Sequence, residues 1–281
     1  MQLIETVETW RKTLDGERHA GRTVGLVPTM GYLHDGHASL IRRAAAECDV
    51  VGVTLFVNPL QFGPSEDLAS YPRDLDADAR LVTECGAAYL FVPSLEEMYP
   101  TPVQTTVLVG DVGTRWEGVS RPGHFGGVAT VVAKLFAQAG PCRAYFGEKD
   151  YQQLAVIRRM AADLSFPVDV IGCPTVRETD GLARSSRNVY LTVEERAVAP
   201  NLYSALLAGA AQARQPGATP ASVDRAMASI VTREPRFILD YAAVVDPATL
   251  APASSLAGDL RFLIAARLGR ARLIDNLGVT V

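Results

Sequence analysis

Between Thr23 and Cys173 the chain alternates short apolar runs with stretches of helical periodicity, and no other feature restricts its fold as much. Runs of strand length lie at Thr23 to Val27, Val50 to Val57, Ala88 to Val92, Arg143 to Phe146 and Val168 to Cys173. Helical patterns fill the gaps at His37 to Cys48, Asp74 to Gly86, Val128 to Gln138 and Tyr151 to Leu164. Repeated β-then-α order predicts an α/β fold with a mainly parallel sheet and helices on both faces.

After about Thr175 the texture changes. Two Ala-rich helical stretches, Glu194 to Arg214 and Ala221 to Arg233, are separated by Gln215-Pro216-Gly217. Apolar runs at Phe237 to Val245, Leu260 to Ala266 and Ala271 to Leu277 then alternate with turn residues, which predicts a small antiparallel sheet. The expected organisation is a larger domain over 1–175 and a smaller α+β domain over 176–281, which 281 residues can support.

Composition narrows the functions. A net charge of −4 from 27 basic and 31 acidic residues leaves no broad cationic surface for nucleic acid or an anionic membrane, so any phosphate site must be local. The longest apolar runs, such as Val50 to Val57 and Gly126 to Ala133, fall far short of a membrane span, and the N-terminus lacks a basic-then-apolar signal. A cytoplasmic protein is expected. Cys48, Cys85, Cys142 and Cys173 are scattered, without close pairs, and are expected to pack as small apolar residues.

The run ending at Val27 leads into Pro28-Thr29-Met30-Gly31-Tyr32-Leu33-His34-Asp35-Gly36-His37, where a helix is expected to start. Open α/β sheets bind ligands at such junctions. Gly31 and Gly36 would let backbone approach a phosphate, and the helix N-terminus would offer unpaired N–H groups and a positive dipole end. His34 and His37, three apart, can share a face and donate to the same phosphate oxygens. A zinc pair and two capping residues are the alternatives, zinc being disfavoured because structural zinc needs four close ligands. The GxGxxG of dinucleotide enzymes is missing, which argues against hydride transfer.

Three later motifs sit at comparable places. Phe56-Val57-Asn58-Pro59-Leu60-Gln61-Phe62 follows the second apolar run, and the Gln61 amide could meet a carboxylate or a hydroxyl, or merely close the turn. Phe146-Gly147-Glu148-Lys149-Asp150-Tyr151-Gln152-Gln153 sets Lys149 and Asp150 in a first helical turn. A cation there is unfavourable unless an anion compensates it, and Asp150 could hold a ribose hydroxyl or join a Mg²⁺ shell. Gln153 lies one turn from Lys149. Arg177 to Asn188, with Arg184, Ser185, Ser186 and Arg187, is either a loop that closes over phosphates or a solvated linker.

Together, PTMGYLHDGH, FVNPLQF, YPRDLDAD, GVATVVAKLF, FGEKDYQQL and RETDGLARSSRN resemble the pantothenate synthetase (pantoate-beta-alanine ligase) family, within the HxGH nucleotidyltransferase superfamily. The resemblance spans the chain, with its specific motifs between Pro28 and Asn188. It implies a Rossmann-like ATP- and pantoate-binding domain, a C-terminal lid domain and a homodimer. It also implies condensation of (R)-pantoate with β-alanine to pantothenate, AMP and diphosphate through pantoyl adenylate, with ATP and Mg²⁺. Carried over residue by residue, ATP falls on Pro28, Thr29, Met30, Gly31, Tyr32, Leu33, His34, Asp35, Gly36 and His37, with His37 as proton donor. ATP falls also on Gly147, Glu148, Lys149, Asp150, Val176, Arg184, Ser185, Ser186 and Arg187. Gln61 and Gln153 would hold pantoate, with Asn58, Tyr71, Arg121, Val131 and Val132 as weaker carry-overs. Where the family usually has a Met, this chain has Arg184. The alternatives are a nucleotidyltransferase or an adenylating ligase for another small acid, and a nucleotide-binding regulator or RNA-binding relative of the aminoacyl-tRNA synthetases.

Overall fold

A computed structural model describes residues 1–63, 68, 69 and 71–281. The strands are β1 (Gln2–Ile4), β2 (Val24–Thr29), β3 (Val50–Leu55), β4 (Tyr89–Phe91), β5 (Cys142–Gly147), β6 (Val168–Cys173), β7 (Phe237–Val245), β8 (Asp259–Leu268) and β9 (Ala271–Thr280). The helices are α1 (Val7–His19), α2 (Asp35–Glu47), α3 (Leu75–Glu84), α4 (Leu95–Met98), α5 (Asp111–Thr114), α6 (Glu117–Ser120), α7 (His124–Ala139), α8 (Tyr151–Asp163), α9 (Val193–Val198), α10 (Asn201–Ala213) and α11 (Pro220–Thr232). The chain divides into two compact units, one of residues 1–148 and 156–174, the other of 149–155 and 175–281.

The first unit is built on a parallel sheet in the order β1-β4-β3-β2-β5-β6. From β2 the chain winds one way through β3 and β4 and the other way through β5 and β6, which is the doubly wound, Rossmann-like order. β2 and β3 are buried along almost their whole length, as central parallel strands covered on both faces must be. α7 is buried nearly all round, which fits its apolar sequence.

Two elements precede the run at Thr23 to Val27 and were not expected. β1 adds a short parallel strand beside β4. α1 docks through fully buried Trp10, whose ring stacks on Phe91 at 5.0 Å and lies against Gly52, where a Cβ would overlap it. Burying an aromatic side chain of that size contributes roughly 3 kcal/mol.

The second unit packs α10 and α11 on the antiparallel sheet β7-β8-β9, around a core that includes Leu206, Met227, Phe262 and Ile264. The stretch Glu194 to Arg214, expected as one helix, is two, because Pro200 supplies no N–H and its ring clashes with a preceding carbonyl. Lys149 and Asp150 belong to a 3₁₀ turn, Glu148–Asp150, ahead of α8 rather than to that helix's first turn.

Candidate active site

Thr29, at the end of β2, pairs with Leu55, at the end of β3, so the loop after β2 and the turn after β3 leave the same carboxyl edge. β5 flanks β2 on its other side, which places the reversal of strand order at this edge.

The loop after β2 is held in an uncommon backbone conformation. Gly31 and Tyr32 both have positive φ, 86° and 53°. Both oxygens of Asp78, a buried residue of α3, stabilise this conformation: Oδ2 accepts from the Tyr32 amide at 2.9 Å and Oδ1 from the Leu33 amide at 2.7 Å. Burial pushes the Asp78 carboxyl above its ordinary pKa, although the two amides pull against that shift. The Gly31 amide donates to Thr29 Oγ1 at 3.3 Å.

His34 and His37 form a capping box at the start of α2. His34 Nδ1 accepts from the Gly36 amide at 3.1 Å, and His37 Nδ1 accepts from the His34 amide at 3.3 Å. In a neutral ring that accepts at Nδ1 the proton sits on Nε2, so the same tautomer is set in both. The ring centroids are 4.2 Å apart. The amides of Gly31, Tyr32, Leu33, His34 and Gly36 are thus engaged within the protein, so of the N–H groups expected to meet a phosphate these five already have partners. The glycines make room for side chains: a Cβ on Gly36 would lie 2.8 Å from the His34 ring, and one on Gly31 3.1 Å from Asp78. Among the described residues no cluster of His, Cys, Asp or Glu could hold a metal ion.

The turn after β3 orients Gln61. Asn58, 1% exposed, donates through Nδ2 to the Gly127 carbonyl at 3.1 Å and to Gln61 Oε1 at 3.2 Å. Its Oδ1 accepts from Tyr99 Oη at 2.9 Å and from the Leu60 amide at 3.3 Å. The Gly127 carbonyl can only accept and the Leu60 amide can only donate, which fixes the Asn58 nitrogen, so Gln61 turns its oxygen toward Asn58 and its Nε2 donates to Met30 Sδ at 3.0 Å. Burial holds the Tyr99 phenol up at about 12, which keeps it a donor.

Arg121 is tied to the same turn through His124. Nδ1 of His124 lies 2.9 Å from the Gln61 carbonyl oxygen, which can only accept, so Nδ1 carries the proton. Nε2 then accepts from Arg121 Nη1 at 3.0 Å. The Tyr71 ring meets Phe62 edge-on at 5.9 Å, and Val131 and Val132 are buried on α7 beyond Gly127. Pro28 lies in β2 itself, Gly147 closes β5, Glu148 follows it and Asp35 opens α2.

In the second unit, Lys149 Nζ lies 3.6 Å from Asp150 Oδ1, so a neighbouring carboxylate compensates the cation. Gln153 is half-buried in the first turn of α8. The Val176 carbonyl accepts from the Arg184 amide at 2.9 Å. Arg184 pairs with Glu178 at 3.2 Å. Ser185 Oγ accepts from the Arg187 amide at 3.3 Å and caps the 3₁₀ turn Ser186–Tyr190, which holds Ser186 and Arg187.

Sequence reading missed Asp78, Tyr99 and His124. Asp78 could have been found as an acidic residue on the same helix face as the buried Val82, one turn away, and His124 as one of only four histidines.

The sequence pattern of the family described as Pantoate-beta-alanine ligase matches residues 2–278. The chain is 54% identical over 280 residues to the pantothenate synthetase of Thermus thermophilus, covering 99% of each, and 50% identical over 277 residues to that of Rhizobium meliloti, covering 98% and 95%. A crystal structure of the Thermus thermophilus pantothenate synthetase superposes with a TM-score of 0.94 at 53% identity over 100% of both chains. A pantoate-beta-alanine ligase from Francisella tularensis, crystallised with beta-gamma ATP and beta-alanine, superposes with a TM-score of 0.79 at 32% identity, over 99% and 97%.

Proposed function

Since the chain belongs to the pantoate-beta-alanine ligase family, we infer that it joins (R)-pantoate to β-alanine at the expense of ATP, giving pantothenate, AMP and diphosphate. The observation that carries the residue assignments is the fixed Gln61 amide, which offers N–H at the sheet edge from which the His34 and His37 loop also leaves. A donor there suits a carboxylate or hydroxyl oxygen and adds no opposing full charge that would blunt a carboxylate nucleophile.

In the proposed course a pantoate carboxylate oxygen attacks the α-phosphorus of ATP in line, and the bond to diphosphate breaks. Gln61 and Gln153 hold the acid, with Asn58, Tyr71, Arg121, Val131 and Val132 shaping its surroundings. The Nε2–H groups of His34 and His37 donate hydrogen bonds to α-phosphate oxygens as charge builds there. The rest of Pro28 to His37, with Gly147, Glu148 and Val176, surrounds ATP. Lys149, Arg184, Ser185, Ser186 and Arg187 stabilise its phosphates, so catalysis is largely positional and electrostatic. The neutral amine of β-alanine then attacks the acyl carbon, and AMP leaves with the oxygen that pantoate contributed.

The half-exposed Asp150 carboxylate suits a single contact to Mg²⁺ carried mainly by ATP phosphates, where the ion would neutralise phosphate charge. The boundary at 175 and 176, with a C-terminal lid domain, belongs to the same proposal. So does a homodimer, supported by the exposed apolar side chains of Leu108 and Val119, which pairing would bury. Among the described residues no helix is long and apolar enough to cross a membrane. Four free cysteines fit a reducing cytoplasm.

The test is an omission experiment. Diphosphate release should require pantoate, and AMP with a new amide should appear only once β-alanine is added. Diphosphate release independent of pantoate would refute the acid assignment.

A further inference from the structure

Lys149 and the segment Arg184 to Arg187 come from separate stretches of the chain, and one dipeptide of β9 anchors both. Asn276 donates through Nδ2 to the Lys149 carbonyl at 2.8 Å. Asp275 takes both arms of Arg177, Oδ2 from Nη1 at 2.6 Å and Oδ1 from Nη2 at 2.9 Å. Arg177 also donates to the Gly181 carbonyl at 3.0 Å, and its guanidinium lies 3.8 Å over the Tyr203 ring. Both β9 residues are 5% exposed.

Arg177 begins a tight hairpin. An antiparallel bridge joins it to Ala183, and the Glu178 amide donates to the Leu182 carbonyl at 2.8 Å. Arg184 and Ser185 follow, and Asn188 Nδ2 returns to the Ala183 carbonyl at 3.1 Å. A continuous chain of contacts therefore runs from Asp275 through Arg177 and the hairpin to Arg187, while the neighbouring residue of the same strand fixes the backbone at Lys149. A bidentate pair constrains direction as well as distance, which a single lysine in place of Arg177 would not do.

We infer that Asp275 and Asn276 are positioning residues for ATP binding: they set the two basic segments in register without touching the nucleotide themselves. The inference rests on the ATP roles given above to Lys149 and Arg187.

The test compares Asn276→Ala, and the double variant Arg177→Met with Asp275→Leu, against the wild type. Removing one partner of a buried ion pair can unfold a protein, whereas replacing both by apolar residues often leaves it folded. The readouts are the calorimetric Kd for MgATP, the KM values for ATP and pantoate, and Tm. Both variants should weaken ATP binding by about fivefold or more while the pantoate KM stays within about twofold. An unchanged Kd for ATP in the folded variants, or equal losses for ATP and pantoate, would overturn the inference. Failure of the ligase reading is seen separately, in a wild type that binds ATP but releases no diphosphate with pantoate; the Kd comparison still decides the role of β9.

Discussion

Asn58 holds the Gln61 side-chain amide with its oxygen inward, at 3.2 Å, so that Gln61 shows its surroundings a donor rather than an acceptor. The relationship has a kinetic consequence. Gln61→Glu would put a carboxylate where the acid substrate's oxygens are proposed to bind, and kcat/KM for pantoate should fall by about a hundredfold with little change in the KM for ATP. Tyr99→Phe removes one hydrogen bond to Asn58 and should raise the pantoate KM about fivefold. Steady-state kinetics with each substrate varied in turn checks both.

Gly127 allows α7 to approach the turn that carries Gln61. A Cβ there would overlap the Leu60 carbonyl, so Gly127→Ala must push the turn away. Overpacking of this kind costs about 1 to 3 kcal/mol. Chemical denaturation should show that loss, and pantoate affinity should fall with it; an unaltered pantoate KM would separate Gly127 from the site.

Asp78→Asn replaces one of two accepting oxygens by an NH2 group that faces a backbone N–H. The loop that carries His34 and His37 should loosen, at a cost of about 2 kcal/mol in stability. Adenylation should slow more than the stability loss alone explains, as measured by pantoate-dependent diphosphate release well below Tm.

The Tyr99 phenol titrates at about 12 in the folded protein, against 10 for an ordinary tyrosine. Between those values the folded chain keeps a proton that the unfolded chain has lost, so stability declines as pH rises from about 10 toward about 12. Urea midpoints measured across the lower part of that window should fall less steeply in Tyr99→Phe than in wild type. Around neutral pH the phenol remains a donor, and the orientation of Gln61 should not titrate there.

The parallel sheet was legible because its central strands are buried on both faces and read as unbroken apolar runs. α1 was not, because it presents only Trp10, Leu14 and Glu17 to the interior of an otherwise polar helix. The break before α10 was hidden among alanines and leucines that suit a helix on either side of Pro200. Residues carried by a local motif, such as His34, His37 and Gln61, stand out in the sequence as candidates. Tyr99, Asp275 and Asn276 act through partners distant in the chain, Asn58, Arg177 and Lys149, and no local pattern marks such contacts. The Tyr32 and Leu33 amides are taken by Asp78, which lies outside their motif, whereas those of Gly31, His34 and Gly36 are taken by Thr29, His37 and His34 within it.

The central claim is that a pantoate carboxylate oxygen attacks the α-phosphorus of ATP. Pantoate labelled with oxygen-18 in its carboxylate, incubated with ATP, Mg²⁺ and β-alanine, tests it through mass spectrometry of the products. One labelled oxygen should appear in AMP and the other should remain in the amide carbonyl of pantothenate. Label in inorganic phosphate accompanied by ADP, or AMP without label, would contradict it.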